Sequence, residues 1–379
     1  MRFGLFIMHL VGKLPYPWIL RLGKWFGLLM LKTAKSRRDI ASRNLAMCFP
    51  DLDDKKRQEL LRKNFISTGQ GLLETAHCWS VDGDTLIKSS MLHGLEHLEK
   101  AKQSGKGIIL LGFHLTSLEL GGNTLAHYSP MAAMYRQHRN PDFERAMTKG
   151  REQHVTHMIE REDVRNMLRA LKKGETIWYA ADQDYGAQHS VFADFFGISA
   201  ATITATSRFT KMTGARLVPM THFRDLKTNK FHIRIHPEIE NFADLSEQEG
   251  AETVNLFLEK YLQGHPADYM WLHRRFKTRP EGEPALYKPK SVLKMRRMLD
   301  KHYERFIQGA EVLEGSKQKP IKIRLANETL MQFYYEPKWF KSSEAKTFAK
   351  QQDNSGIVIQ QLFHYPKINA EIVHYRSID

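Results

Sequence analysis

The sequence predicts an α/β protein: a mixed, largely parallel sheet flanked by helices, preceded by N-terminal membrane-interface helices and followed by a small C-terminal α+β appendix. Three observations carry this expectation. Through the middle of the chain, short continuous apolar runs bounded by glycine alternate with helical patterns, as strands buried on both faces do with their crossover helices. The first fifty residues interleave apolar and aromatic side chains with Lys and Arg, and beyond about residue 300 the alternation gives way to short strand-like runs and polar connectors. The corresponding segments are 1–45, 46–300 and 301–379.

At the N-terminus, Phe3 to Val11 is apolar except for His9, and Trp18 to Leu31 is apolar except for Arg21 and Lys24. Pro15 and Pro17 separate the two runs and a basic cluster, Lys32 to Arg38, follows them. Neither run reaches the roughly 18 uninterrupted apolar residues of a spanning helix. The segment reads as a helix lying in a bilayer interface with snorkelling cations, or as an amphipathic helix packed on the protein's own core. No small-residue cleavage site follows the apolar run, which argues against a signal peptide.

Asp51, Asp53 and Asp54 precede Lys55, Lys56 and Arg57, the charge order of a helix N-terminus, so a helix is expected to run to about Trp79. A second helix over 94–104 closes at Ser104-Gly105, and Gly107 to Phe113 is the first buried strand. Further expected units are a strand from Met131 to Tyr135 and a helix from Asn140-Pro141. A helix from Asp163 to Lys173 leads into a strand from Thr176 to Ala181, and a helix near Ala200 to Met212 into a strand from Arg216 to Met220. Phe231 to Ile239 and Tyr269 to Phe276 are expected to be strands. In the appendix, Ser316 to Pro320 reads as a connector, and Ile321 to Leu325, Gly356 to Phe363 and Ile368 to Tyr375 as strands.

With 42% apolar and 26% charged residues, the 379-residue chain has globular composition, so wholesale disorder is excluded. Cys48 and Cys78 are the only cysteines; two thiols do not staple a chain this long, and a reducing compartment follows. The net charge of +15 is concentrated: residues 1–50 carry nine basic residues against Asp39, and residues 271–300 nine against three acids. Two basic patches on a nearly neutral body point to an anionic partner: nucleic acid, an anionic bilayer, or an acidic protein or substrate.

The chemistry concentrates where the first buried strand ends, in Gly112-Phe-His114-Leu-Thr-Ser-Leu-Glu119. Catalytic groups of open α/β sheets gather at the carboxyl ends of the strands. A neutral imidazole there takes the proton of a hydroxyl nucleophile, and a carboxylate one turn on orients the ring and stabilises the imidazolium. Spacing alone is weak: five His residues have an acid five positions later, where about two are expected by chance. Only His114 ends a buried strand, and Thr116 to Glu119 is also a capping-box pattern, so Glu119 has a plain structural reading as well. Phe143, Met147 and Arg151 share one helix face, which turns Arg151 inward to an anionic substrate or to an internal ion pair. Asp182, ending the strand from Thr176, is expected to pair with Arg151 or to support the site. His154, His157 and Glu160, placed on the helix, lack the spacing of a dedicated zinc motif.

Several collinear motifs resemble one family: Gly107 to Gly122, Tyr135-Arg136 with Asn140-Pro141, Lys173 to Gly186, Ser190-Val-Phe192 and Tyr269 to Gly282. Together they are similar to the late (secondary) acyltransferases of lipid A, nearest to the lauroyl transferase branch, over about residues 13–287. The resemblance implies a glycerolipid acyltransferase-like fold and transfer of a C12 to C16 acyl group from acyl carrier protein to a 3-hydroxyacyl hydroxyl. The acceptor it implies is a Kdo-bearing lipid A precursor, met at the cytoplasmic face of the bacterial inner membrane. It also implies His114 as general base, Glu119 as its orienting partner, and Arg151 and Asp182 as substrate-binding or supporting residues. No metal or dissociable cofactor is implied beyond the carrier's phosphopantetheine arm. The implied partners are acyl carrier protein, an anionic glycolipid and the inner membrane surface, with no nucleic acid. Backbone N–H groups at the helix start after His114 are the expected oxyanion donors. Only a dozen residues precede Lys13, where related enzymes carry a longer apolar segment, which argues against single-pass spanning. The competing readings are an acyltransferase using another glycolipid or a lysophospholipid, and a non-catalytic basic protein binding membranes or nucleic acid.

Overall fold

The computed structural model describes residues 2–287 and, beyond them, the strands at 311–314, 321–324, 330–333, 357–365 and 370–377. The chain forms two compact units, 1–286 and 287–379. The first begins with four helices, α1 (Arg2–Gly12), α2 (Tyr16–Thr33), α3 (Lys35–Cys48) and α4 (Asp54–Cys78). It continues through α5 (Gly83–Lys88), β1 (Ser90–His93), α6 (Leu95–Lys102), β2 (Ile108–Gly112), α7 (Leu118–Tyr128), β3 (Ala132–Tyr135), α8 (Pro141–Glu152) and β4 (Met158–Glu160). Then come α9 (Val164–Lys172), β5 (Thr176–Ala180), β6 (Ser190–Phe195), β7 (Ile198–Ile203), α10 (Ala205–Thr213), β8 (Arg216–Asp225), β9 (Lys230–Ile235) and α11 (Glu247–Gly264).

The main sheet has the order β1-β9-β8-β2-β5-β3-β4. Every neighbouring pair is parallel except β8 and β9. β2 is buried at every position. Ile108 and Leu110 of β2 share a core cluster with Val218 and Met220 of β8 and Phe231 and Ile233 of β9. The second unit is a five-stranded antiparallel sheet, β10 (Glu311–Glu314), β11 (Ile321–Arg324), β12 (Leu330–Phe333), β13 (Ile357–Tyr365) and β14 (Ala370–Ser377), in the order β10-β11-β12-β14-β13. The expected connector at 316–320 lies outside the described residues, as do residues 288–300 of the second basic segment.

Of the two readings of the N-terminal helix, the structure bears out the amphipathic helix packed on the protein's own core. Tyr16, Ile19 and Leu20 of α2 join the core cluster of the sheet, while Trp18, Leu22, Trp25, Phe26 and Leu29 are exposed. α2 lies so close to α4 that a Cβ on Gly27 would stand 2.2 Å from the Phe65 carbonyl oxygen, which only glycine permits. Among the described residues no helix is long and apolar enough to cross a membrane.

Several sequence expectations are corrected. Ala200 to Ile203 belong to β7, paired antiparallel with β6, and the helix starts only at Ala205. Phe196 and Gly197 link these strands with φ of 54° and 70°, the positive angles of a type I′ hairpin that the pair Phe-Gly does not advertise. The aromatic run Tyr269 to Phe276 is no strand: one bridge, Leu115 to Tyr269, ties it to the rest, and the chain then turns repeatedly. β9 stops at Ile235, just before Pro237, which has no N–H to offer a ladder. His154, His157 and Glu160 share no helix, because α8 ends at Glu152 and Glu160 lies in β4.

The two basic segments are also less of a free surface than the sequence suggests. Arg275 is buried and donates to the Ala201 carbonyl and the Thr202 hydroxyl. Arg37 and Arg43 of α3 donate to the carbonyls of Leu272 and Leu286, so the N-terminal cluster and the start of the second segment meet.

Candidate active site

The parallel register of β2 and β5 pairs Gly112 with Ala180. Two residues further along each chain stand His114 and Asp182, at the carboxyl edge of the sheet. Asp182 is buried and accepts the backbone N–H of His114 at 3.0 and 3.1 Å and the ring Nδ1 at 2.9 Å. A carboxylate only accepts, so Nδ1 carries the proton and Nε2 of the neutral ring keeps its lone pair. Burial works to raise the Asp182 pKa, but the His114 ring and backbone N–H outweigh it and hold the carboxyl below its ordinary value. His273, beside this pair, is driven down to about 4 by burial and by His114, and so stays neutral.

Glu119 is elsewhere engaged. It lies in the first turn of α7 and accepts from Arg151 Nε at 3.1 Å to each oxygen, from Arg151 Nη2, from Trp79 Nε1 at 3.2 Å and from Asn123 Nδ2 at 3.3 Å. Burial raises its pKa, and Arg151 leads the groups that bring it below the ordinary carboxylate value. The expected hydrogen-bond partnership of Glu119 with His114 is therefore corrected: the ring's carboxylate is Asp182, and Glu119 is the internal counter-ion of Arg151. Asp182 correspondingly does not pair with Arg151. The capping box is not formed either, since Ser117 is the N-cap of α7 and no side chain caps it. Two of the backbone donors expected for an oxyanion are already spent, because Leu115 N–H donates to the Phe113 carbonyl and Thr116 N–H to that of Asp268, both at 2.7 Å.

The loop from His114 to Ser117 is fixed by residues that sequence reasoning missed. Met270 N–H donates to the His114 carbonyl, and the Tyr269 hydroxyl to that of Asp182. A buried Arg224 from β8 grips Glu74 of α4 at 2.6 and 2.7 Å and reaches Ser67 and Thr116 with its remaining nitrogen. Tyr16 of α2 donates to the same Glu74. Gly71 abuts this loop, and any Cβ there would fall 1.7 Å from the Thr116 carbonyl oxygen. His222, also buried, bonds the Ser117 hydroxyl through Nδ1 at 2.8 Å.

His114, Glu119 and Arg151 line a cavity of about 930 Å³ whose remaining wall is rich in Met, Leu and aromatic side chains. That volume suits a long apolar substrate, and methionine adapts to its shape. A histidine at the carboxyl edge of a parallel sheet, oriented by a buried carboxylate and facing such a cavity, is the layout of an α/β enzyme acting on lipid-like substrates. Residues 1–278 match the family model for bacterial lipid A biosynthesis acyltransferases. The chain is 40% identical over 286 residues to the lipid A biosynthesis lauroyltransferase of Escherichia coli K12, covering 75% of this chain and 93% of that enzyme. It is 37% identical over the same shares to the palmitoleoyltransferase of that organism. Its identity to the myristoyltransferase of that organism is 28%, over 74% of this chain and 86% of that enzyme. The chain belongs to the bacterial lipid A biosynthesis acyltransferase family, and it is an acyltransferase.

Two outcomes are expected. Asp182→Asn keeps the shape but removes the charge that stabilises the imidazolium, so steady-state kinetics should show kcat lowered about 10²- to 10⁴-fold with little change in KM. A variant within a few-fold of wild type would remove Asp182 from this role. Burial, and then Arg224, depress the His222 pKa to about 3. Below the ordinary histidine value the unfolded chain takes up a proton that the folded one refuses, so stability falls as pH drops from about 6.5 toward 3, by up to about 1.4 kcal/mol per unit. Urea denaturation of His222→Gln should show a loss between pH 6.5 and 4.5 that is smaller than wild type's by about 2 kcal/mol.

Proposed function

We propose that the protein transfers a C12 to C16 fatty acyl group from acyl carrier protein to a 3-hydroxyacyl hydroxyl of a Kdo-bearing lipid A precursor, at the cytoplasmic face of the inner membrane. The observation that carries the mechanism is the His114–Asp182 pair opening on a largely apolar cavity. An alcohol is a poor nucleophile at neutral pH, whereas a thioester is activated. His114 Nε2 takes the hydroxyl proton as the oxygen attacks the thioester carbonyl, and Asp182 stabilises the imidazolium. Collapse of the tetrahedral intermediate breaks the C–S bond, and the imidazolium returns its proton to the leaving thiolate. Arg151 and Glu119, locked together, hold α8 and α7 in place and shape the wall beside the base. No dissociable cofactor enters this scheme; the acyl group arrives on the carrier's phosphopantetheine arm.

The membrane part of the proposal is supported by the exposed face of α2, where Trp25 is 69% exposed in line with Trp18, Leu22 and Leu29. Arg21 stacks over Trp18 at 5.2 Å, and cations beside exposed aromatics favour an anionic interface.

Purified protein given acyl carrier protein loaded with a C12 to C16 chain is expected to acylate a Kdo-bearing tetraacyl precursor, read by mass spectrometry. His114→Ala should abolish the product in a protein that still folds, as its circular dichroism spectrum reports. An active His114→Ala variant would refute the mechanism, and an inactive wild type on every lipid A precursor would refute the assigned substrates.

A further inference from the structure

We propose that Arg136 and Arg161 form a phosphate-binding subsite in the wall of the cavity, which takes a phosphate ester carried by one of the two substrates; the proposal rests on the acyl-transfer reading above. β3 and β4 are parallel neighbours with Tyr135 opposite Glu160, so the next residues, Arg136 and Arg161, leave the sheet side by side. The Arg161 N–H donates to the Tyr135 carbonyl at 2.8 Å and fixes that juxtaposition. Both arginines line the same cavity as His114.

The charges of the lining are unbalanced. It holds Arg136, Arg151, Arg161 and Arg208 against Glu119 and Glu162. Arg151 is consumed by Glu119, and Arg208 pairs with Glu247, which is not part of the lining. Arg161 bonds Glu162, a mostly exposed carboxylate, and its guanidinium lies 5.5 Å over the ring of Tyr185. Arg136 makes no hydrogen bond or ion pair among the described residues. One carboxylate thus faces two adjacent guanidinium groups, and its pKa is lowered chiefly by the Arg161 hydrogen bond, with Arg136 adding to the effect.

Two like charges held at adjacent strand ends repel each other, and a ligand that bridges both relieves the repulsion. A phosphate ester fits better than a carboxylate, because its several anionic oxygens accept from two forks at once. Stacking on Tyr185 fixes the plane of one fork in advance, which lowers the ordering cost of binding. Both substrate classes carry such a group: a sugar phosphate on the acceptor, or the phosphodiester of the donor's phosphopantetheine arm.

The test is steady-state kinetics of the full chain as wild type, Arg136→Gln, Arg161→Gln and Arg136→Lys. Acceptors are compared with and without the sugar phosphates, and donors as acyl-phosphopantetheine and acyl-pantetheine. Each Gln variant is expected to raise KM about tenfold or more for one phosphorylated substrate with kcat within about twofold, and Arg136→Lys to restore part of the loss. The difference between variant and wild type should vanish when that substrate lacks its phosphate, and which KM moves names the source. Unchanged KM values, or a rise that persists on the phosphate-free substrate, would overturn the subsite. If wild type transfers no acyl group, titration with glycerol phosphate decides the subsite alone. A saturable NMR shift of the Arg161 Nε–H that is lost in Arg136→Gln supports it, and no shift overturns it.

Discussion

Asp182 accepts hydrogen bonds from both the backbone and the ring of His114, and the chemistry of the site depends on that double grip. It is a consequence of sheet topology: β2 and β5 are parallel neighbours in register, so the residues just past their ends face each other. The carboxylate is buried and still ionised, because His114 outweighs the cost of burial. An acid in such a place sets the tautomer, and the tautomer decides which nitrogen is the base. With Asp182 in that role, Glu119 is free to neutralise Arg151 and tie two helices together. The division leaves each buried charge with its own partner, as a low-dielectric site requires.

The His114 loop is held from the other side by Arg224 and Glu74. Their bidentate contact lies beneath the loop, with Ser67, Thr116 and Tyr16 completing its hydrogen bonds. Loss of one member would leave an uncompensated buried charge, at a cost of about 3–5 kcal/mol. The pair thereby connects three parts of the fold: the N-terminal helix α2, the sheet through β8, and the segment that carries His114. α2 is consequently both a structural member, through Tyr16 and Gly27, and the bearer of the exposed Trp18 and Trp25. The helix that would meet a bilayer is therefore one hydrogen-bonded side chain away from the pair that holds the His114 loop.

What the sequence reveals and what it hides follow from the range of the interactions. β2 was legible as an apolar run between glycines, and the start of α8 as Asn140-Pro141, where the Asn140 side chain accepts from Asp142 and Phe143 N–H at 3.1 Å. Arg151 was legible as an inward cation because its helix face is apolar, and its two possible partners reduced to the ion pair. The family was legible from long collinear motifs. Strand order was not, and with it went the assignment of Asp182, because no local pattern says that β5 lies beside β2. The aromatic run from Tyr269 looked like a strand because its side chains are buried, yet its backbone bonds the His114 loop instead of a ladder. Arg275 looked like surface charge for a similar reason: its partners, the Ala201 carbonyl and Thr202, are distant in sequence.

The tautomer of His114 is the most direct test of the central claim that Asp182 makes Nε2 the base. Nitrogen-15 NMR of side-chain-labelled protein, with the His114 signals identified by their loss in His114→Ala, reports the protonation of each ring nitrogen. The account predicts a protonated Nδ1 and an unprotonated Nε2 in the neutral ring, with that preference weakened in Asp182→Asn and unaltered in Glu119→Gln. A ring protonated at Nε2, or one that responds to Glu119→Gln and ignores Asp182→Asn, would contradict it.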